Sequence, residues 1–149
     1  MNRFLLDTNL LVYALRNDPH WDFVCRSYTI GDNNNFVSVI SLGELWSLSM
    51  RNEWGQNRIE KLEQISQSFI IVDINIESII RRYAEIDTFS QGKLKGKSLG
   101  MTSRNMGKND LWIAATASAL DLTLLTTDRD FEHLSPSFLN LQKIEKQSM

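Results

Sequence analysis

Cysteine is nearly absent from this chain of 149 residues, which carries Cys25 alone. One thiol cannot form an internal disulfide, so the sequence predicts a protein of a reducing compartment. Cys25 and the two histidines, His20 and His133, show none of the short spacings that are typical of zinc ligands. The sequence therefore argues against a disulfide-rich secreted module and gives no support for a zinc site.

Long apolar runs are absent as well. No stretch of the sequence approaches the roughly 20 consecutive apolar residues that a membrane helix needs. In the first segment, RFLLDTNLLVYAL, Asp7 and Asn9 interrupt the apolar run too early for a signal peptide. We therefore expect a soluble protein of the cytoplasm that makes no contact with a membrane.

The sequence also lacks a strong excess of charge. Sixteen basic and 18 acidic side chains give a formal net charge of −2, so no global positive field marks the chain as a nucleic-acid binder. This balance does not exclude a local basic patch. The apolar fraction of 42% and the charged fraction of 23% are ordinary for a globular protein. The length predicts one domain, residues 1–149, with a sizeable core.

What the sequence does contain is an alternation of short apolar strands with amphipathic helices. The predicted strands are RFLLD, FVSVIS, FIIVDI, LTLLTTD and FLNLQKI. Strands that alternate with helices predict an α/β fold with a mostly parallel sheet. The segments GDNNN and 91–108 predict loops, and the second of these is long.

Four acidic residues fall at the ends of these predicted elements. Asp7 ends the first strand, and Asp128 ends the LTLLTTD strand. Asp110 opens the small-residue helix DLWIAATASAL, and Glu44 lies in the first turn of a helix for which Ser41 is the predicted N-cap. Because ligands of open parallel sheets bind beyond the carboxyl ends of the strands, these acids can converge in one site.

Each acid has a purely structural explanation when it is considered alone. Asp110 suits the positive end of a helix dipole, Glu44 can complete a capping box with Ser41, and Asp128 can be a turn residue. Asp7 resists such an explanation because it interrupts two apolar runs, and a buried carboxylate is costly unless it is paired or bound to a metal.

A divalent cation would explain all four acids together. Four carboxylates in one pocket repel each other, and without a cation some of them would hold protons at neutral pH. Carboxylate oxygens suit Mg²⁺ or Mn²⁺. Such ions commonly serve the hydrolysis of phosphate esters. The residues therefore predict metal-assisted cleavage of a phosphodiester.

Four motifs in fixed order extend this prediction to a family. FLLDTNLLVYAL, VSVISLGELW, KNDLWIAATASAL and LLTTDRDFEHL together resemble PIN-domain ribonucleases, above all the VapC-type toxins of bacterial toxin–antitoxin pairs. The resemblance runs from Phe4 to about Leu134. It implies a three-layer α/β/α sandwich around a mostly parallel sheet. It also implies an Mg²⁺- or Mn²⁺-dependent endoribonuclease that cleaves RNA, is inhibited by a cognate antitoxin and forms a homodimer.

The resemblance assigns roles residue by residue. The four acidic positions of the family, which are both catalytic and metal-binding, match Asp7, Glu44, Asp110 and Asp128. Asn9 matches the polar residue of the first motif, and Thr126 matches a hydroxyl residue that lines the same pocket. Asp130 lies close to this set in the sequence, but we expect its role to be structural.

The segment 91–108 departs from the family pattern because it is longer than the family core requires. It carries five cations and no acid, namely Lys93, Lys95, Lys97, Arg104 and Lys108. Because the segment directly precedes Asp110, we predict that these cations hold backbone phosphates of the RNA. The alternative is a solvated, mobile loop whose charges only help solubility.

Two other functions stay open on the sequence alone. One is a different Mg²⁺-dependent phosphohydrolase that uses Asp7 as a covalent nucleophile, a class that usually has a second Asp where this chain has Asn9. The other is a non-catalytic RNA- or protein-binding module on the same fold. Replacement of Asp7 and Asp110 by Asn separates the nuclease from this second alternative, since only the nuclease requires both carboxylates.

Overall fold

The computed structural model describes residues 3–30 and 35–145. The described part of the chain contains five strands, six α-helices and one short 3₁₀ helix. In chain order these are β1 Phe4–Leu6, α1 Thr8–Leu15, α2 Pro19–Tyr28, β2 Asn35–Ser38, α3 Val39–Arg51, α4 Gln56–Ser68, β3 Ile70–Val72, α5 Glu77–Ser90, α6 Lys108–Ala119, β4 Thr123–Thr126, the 3₁₀ helix Arg129–Leu134 and β5 Asn140–Lys143. No helix in this part is long and apolar enough to span a membrane.

The five strands form one sheet in the order β3-β2-β1-β4-β5, and every neighbouring pair is parallel. The predicted α/β fold with a mostly parallel sheet is confirmed. Strand β1 lies at the centre, with Leu5 opposite Phe36 of β2 and opposite Leu124 of β4. The strand order reverses at β1, so the crevice beyond its carboxyl end is the place where this topology forms a ligand site.

Side chains that alternate along the strands build a separate core on each face of the sheet. Leu5 and Leu124 point into a core with α5 and α6, while Leu6 and Leu125 point into a core with α1, α3 and α4. This alternation follows from the two-residue period of a strand. Because helices cover both faces, all of these strand residues are buried, and the three-layer sandwich is confirmed.

The boundary between β2 and α3 differs from the prediction. The strand ends at Ser38, which is the N-cap of α3, and its hydroxyl accepts a hydrogen bond of 3.0 Å from the Ile40 amide. Ser41 lies inside the helix and is fully buried, so the predicted capping box of Ser41 and Glu44 is wrong. The β-branched pair Val39 and Ile40 favours a strand by propensity, but the cap at Ser38 starts the helix before them.

Residues 91–107 form no helix or strand. Leu94, Leu99 and Met106 nevertheless pack against the core beneath α5 and α6, and the amide of Arg104 donates to the Ser90 carbonyl. Glycines at positions 92, 96 and 100 adopt positive φ angles, which let the chain turn between these contacts. Most of the predicted GDNNN loop, residues 31–34, lies outside the described residues.

The cap at Ser38 can be tested by the substitution Ser38→Ala. We expect the free energy of unfolding to fall by about 1 kcal/mol, because the Ile40 amide loses its acceptor. Urea denaturation measures the change. Ser68→Ala, at an exposed position in α4, is the matched control and should change stability by less than about 0.5 kcal/mol. Equal stability of the two variants would contradict the assignment of the cap.

Candidate metal centre

Asp7 is the buried carboxylate at the centre of the site. It follows β1 directly, acts as the N-cap of α1 and is only 3% exposed. Oδ1 accepts a hydrogen bond of 2.8 Å from the amide of Thr8, and Oδ2 accepts one of 2.7 Å from Oγ1 of Thr126. These two donors and the positive end of α1 explain how a carboxylate is tolerated between two apolar segments.

Thr126 fixes Asp7 relative to the acids that follow β4. This threonine ends β4 and is fully buried. Its hydroxyl donates to Asp7 and accepts a hydrogen bond of 2.9 Å from the amide of Asp128. The carboxylate of Asp128 in turn accepts from the amide of Asp130 at 2.9 Å and begins the 3₁₀ helix. One hydroxyl therefore joins the ends of two neighbouring strands.

Glu44 and Asn9 are held at this edge by residues of the first motif and of the loop after β4. Oγ1 of Thr8 donates to Oε1 of Glu44 at 2.8 Å and is hydrogen-bonded to Oγ of Ser41 at 2.9 Å. Nδ2 of Asn9 donates to Oγ1 of Thr127 at 3.2 Å. The start of α1 is thus tied to α3 on one side and to the end of β4 on the other.

Three carboxylates approach each other most closely. Asp110, Asp128 and Asp130 each offer one oxygen, and these atoms lie within 4.8 Å of one another. Asp110 belongs to the first turn of α6. The sequence suggests only a structural role for Asp130, whereas the structure places it beside the predicted acids. The Asp-x-Asp spacing across the turn after β4 is the sequence signal that identifies it.

Burial and like charges perturb the pKa of two of these acids. Burial is the main reason that the pKa of Asp7 is raised to about 6, and the charges of Glu44 and Asp128 add to it. The pKa of Asp110 is raised to about 7, mainly by burial. The charges of four neighbouring carboxylates contribute to the same shift, namely Asp7, Asp128, Glu44 and Asp130. Five acids therefore share one electrostatic site.

The chemistry of this donor set fits a divalent cation. A Mg²⁺ or Ca²⁺ ion lies roughly 2.0–2.6 Å from its oxygen ligands, so ligands on opposite sides of an ion are about 4–5 Å apart. The separations of up to 4.8 Å among Asp110, Asp128 and Asp130 match that span. A cation would also offset the repulsion that adds to burial in raising the pKa of Asp110. All donors are carboxylate oxygens, which favour hard ions over zinc.

Several acids converge where the strand order of this parallel sheet reverses. This combination of fold and site is the feature that assigns the chain to a class of protein. The model of the PIN domain family matches residues 4–135, which include four of the five strands and every acid of the site. The chain belongs to the PIN domain family.

Relatives and solved structures place the chain more narrowly within that family. Ribonuclease VapC2 of Rickettsia felis is 30% identical over 88% of this chain and 91% of its own length. Ribonuclease VapC1 of Haemophilus influenzae strain R2866 is 26% identical over 89% of this chain and 92% of its own length. The structure of VapBC2 from Rickettsia felis, bound to a DNA fragment from its promoter, superimposes with a TM-score of 0.73 at 26% identity, covering 94% of this chain and 97% of that chain. The resemblance to VapC-type proteins that the four motifs predict is confirmed.

The fold is shared still more widely. VapBC-1 from nontypeable Haemophilus influenzae superimposes with a TM-score of 0.73 at 22% identity, over 94% of this chain and 96% of the other. At that level of identity the likeness concerns the fold alone. It adds that the arrangement of strands and helices persists while most side chains change.

The crowding of the acids predicts that Asp110→Asn stabilises the metal-free protein in a pH-dependent way. The folded-state pKa of Asp110 is about 7 and its ordinary value is 3.8, so its charge destabilises the fold progressively as pH rises between these values. Because Asp110 is partly exposed, we discount the shift and expect about 1 kcal/mol of extra stability at pH 8 and none near pH 4.

Urea denaturation in EDTA at both pH values measures this difference. Asp121→Asn, at an exposed carboxylate in the turn after α6, is the control and should give no pH-dependent gain. A stability difference between Asp110→Asn and the unaltered protein that is the same at both pH values would contradict the assignment.

Proposed function

We propose that this protein is a metal-dependent endoribonuclease and the toxin of a toxin–antitoxin pair. The observation that carries the proposal is the meeting of five carboxylates at one edge of the sheet of a PIN domain, where burial and the charges of the other four acids raise the pKa of Asp110 to about 7. Relatives that align over nine-tenths of their length are named ribonucleases, and solved structures with this fold are toxin–antitoxin complexes.

Mg²⁺ or Mn²⁺ is the proposed ion, since both prefer carboxylate oxygens. Asp110, Asp128 and Asp130 offer the closest oxygens, and Asp7 and Glu44 complete the acidic set. When bound, such an ion stabilises negative charge on a phosphate and promotes ionisation of water.

Neighbouring side chains and one backbone amide hold the polar groups of the site in position. Thr126 and the amide of Thr8 hold both oxygens of Asp7, so this carboxylate cannot rotate away. Thr8 orients Glu44, and Thr127 orients Asn9. Because each of these supports is itself anchored in α1 or at the end of β4, the acids are preorganised before any ligand arrives.

RNA must approach this acidic site with help from cations elsewhere. We propose that Lys93, Lys95, Lys97, Arg104 and Lys108 bind its backbone. Lys108 is the first residue of α6, two positions before Asp110. The packing of Leu94, Leu99 and Met106 against the core holds the segment beside α6 and supports a fixed path over a freely moving loop.

The antitoxin is the proposed protein partner. A groove of about 530 Å³ runs between α2 and α4, and apolar side chains such as Trp21, Ile30, Ile65 and Phe69 line it. Asp18, Asp22 and Lys61 also line the groove, so its charged lining is acidic by one charge. Such a surface suits the apolar face of an amphipathic helix with basic residues along its edge. The encounter with antitoxin, RNA and a second copy of the chain would take place in the cytoplasm.

The alternatives find less support in the geometry. Asp7 is buried and both of its oxygens accept hydrogen bonds, which makes it poorly placed for covalent attack on a phosphate. A non-catalytic module has no need of five crowded acids, since their repulsion only destabilises the fold.

The proposal predicts that cleavage of single-stranded RNA depends on Mg²⁺ or Mn²⁺ and stops in EDTA. Asp7→Asn and Asp110→Asn should each lower the rate by on the order of 100-fold or more, because each removes charge from the site. The change in fluorescence of a labelled oligonucleotide measures the rate, and circular dichroism confirms the fold. Asp121→Asn is the matched control and should cleave at the normal rate. The proposal would be refuted if the unaltered protein still cleaved RNA in EDTA. It would also be refuted if Asp7→Asn and Asp110→Asn both cleaved RNA at the normal rate.

A further inference from the structure

A second cavity, of about 560 Å³, lies beside the acidic centre and shares Asp128 with it. We call it the flanking groove. Its lining residues are Asn9, Thr127, Asp128, Arg129, Lys143 and Glu145. It differs from the acidic centre because two of its six side chains are cations, two are carboxylates and two are neutral. An anion of low charge, such as a phosphodiester, can lie against the cationic and neutral members of this set.

Lys143 provides the less exposed of the two cations. It lies opposite Thr126 in the register of β4 and β5, so the strand that carries the support of Asp7 also fixes the position of this lysine. Its side chain is 16% exposed, and Nζ lies 3.1 Å from Glu145 and 3.8 Å from Glu132. Both partners are largely exposed, so these ion pairs are weak and an incoming phosphate can replace them.

Arg129, Asn9 and Thr127 complete the groove. Arg129 follows Asp128 directly and is exposed. The amide nitrogen of Asn9 uses one hydrogen for Thr127 and keeps a second for a ligand. Thr127 accepts that bond, so its own hydroxyl hydrogen is available to donate. A phosphate in the groove would therefore meet two cationic and two neutral donors, with the carboxylates of Asp128 and Glu145 at its border.

We propose that the flanking groove binds the backbone phosphate next to the one that is cleaved, in single-stranded RNA of any sequence. This inference rests on the proposed function, since it places the scissile phosphate at the acidic centre. Asp128 belongs to the acidic cluster and also lines the flanking groove, so a strand that lies across it would pass directly from one to the other. The groove is separate from the basic segment 91–108, because it is built by the chain around β4 and β5.

The test is the double substitution Arg129→Gln/Lys143→Gln. We expect KM for RNA to rise about tenfold while kcat stays within twofold, because the groove positions substrate without touching the reacting atoms. The dependence of log KM on log salt should become shallower by about 0.7 for each phosphate that the variant no longer neutralises. Lys143→Arg keeps the charge and should retain most of the affinity. The Arg16→Gln/Arg26→Gln variant removes two exposed cations outside the groove and should match the unaltered protein.

Binding without cleavage gives a second readout. In an Asp110→Asn background, filter binding compares an RNA oligonucleotide with two shortened versions, each lacking the phosphate on one side of the cleaved bond. One of the two should bind about tenfold more weakly than the full oligonucleotide. That loss should vanish in the Arg129→Gln/Lys143→Gln background, since the two changes remove the same interaction.

The outcomes separate the inference from the proposed function. Failure of the unaltered protein to cleave RNA with Mg²⁺ or Mn²⁺ would overturn the function and this inference with it. Cleavage by the unaltered protein, with KM and salt dependence unchanged in the folded double variant, would overturn the flanking groove alone. A tenfold weakening on shortening the oligonucleotide that is equal in both protein backgrounds would also overturn it.

Discussion

Repulsion among like charges at the carboxyl end of the central strand is the constraint on which the rest of this structure depends. Five carboxylates act on one another there, and burial strengthens the effect by removing water from between them. The fold tolerates this because two apolar cores, one on each face of the sheet, supply the stability that the site removes. Such a concentration of negative charge is the arrangement that a bound cation would stabilise.

The sheet order and two hydroxyl groups bring residues that are far apart in the sequence close together in space. Asp7 lies near the start of the sequence and Asp128 near its end, yet β1 and β4 are neighbours and run in the same direction, so both residues emerge at the same edge. Thr126 then links the two residues, because its hydroxyl donates to the carboxylate of Asp7 and accepts from the amide of Asp128. The hydroxyl of Thr8 holds Glu44 of α3 by donating to its carboxylate. The polar residues around the acids are therefore as much a part of the site as the acids.

The strands and the two acids at strand ends can be predicted because both depend on local pattern. An apolar run followed by Asp indicates a buried strand and its exit, and this pattern identifies Asp7 and Asp128. The predicted cap of α3 is wrong because Ser38 and Ser41 both suit an N-cap, and only tertiary packing decides between them. The Asp-x-Asp spacing after β4 draws attention to Asp130, but whether its carboxylate joins the site depends on the direction of the turn, which the sequence does not specify. The packing of segment 91–107 depends on side-chain contacts that no periodicity reveals.

An acidic centre and a polyanionic substrate are compatible only if attraction comes from outside the cluster of acids. Cations placed among the carboxylates would pair with them and compete with a metal ion. Cations are instead carried by the segment 91–108 and by the chain around β4 and β5, where Arg129 follows Asp128 in the sequence but lines the flanking groove. Lys143 illustrates the division, since its strand position is fixed by the ladder with β4 while its Nζ is paired with exposed glutamates rather than with the buried acids. The backbone thus separates the positive charge of Lys143 from the buried acids.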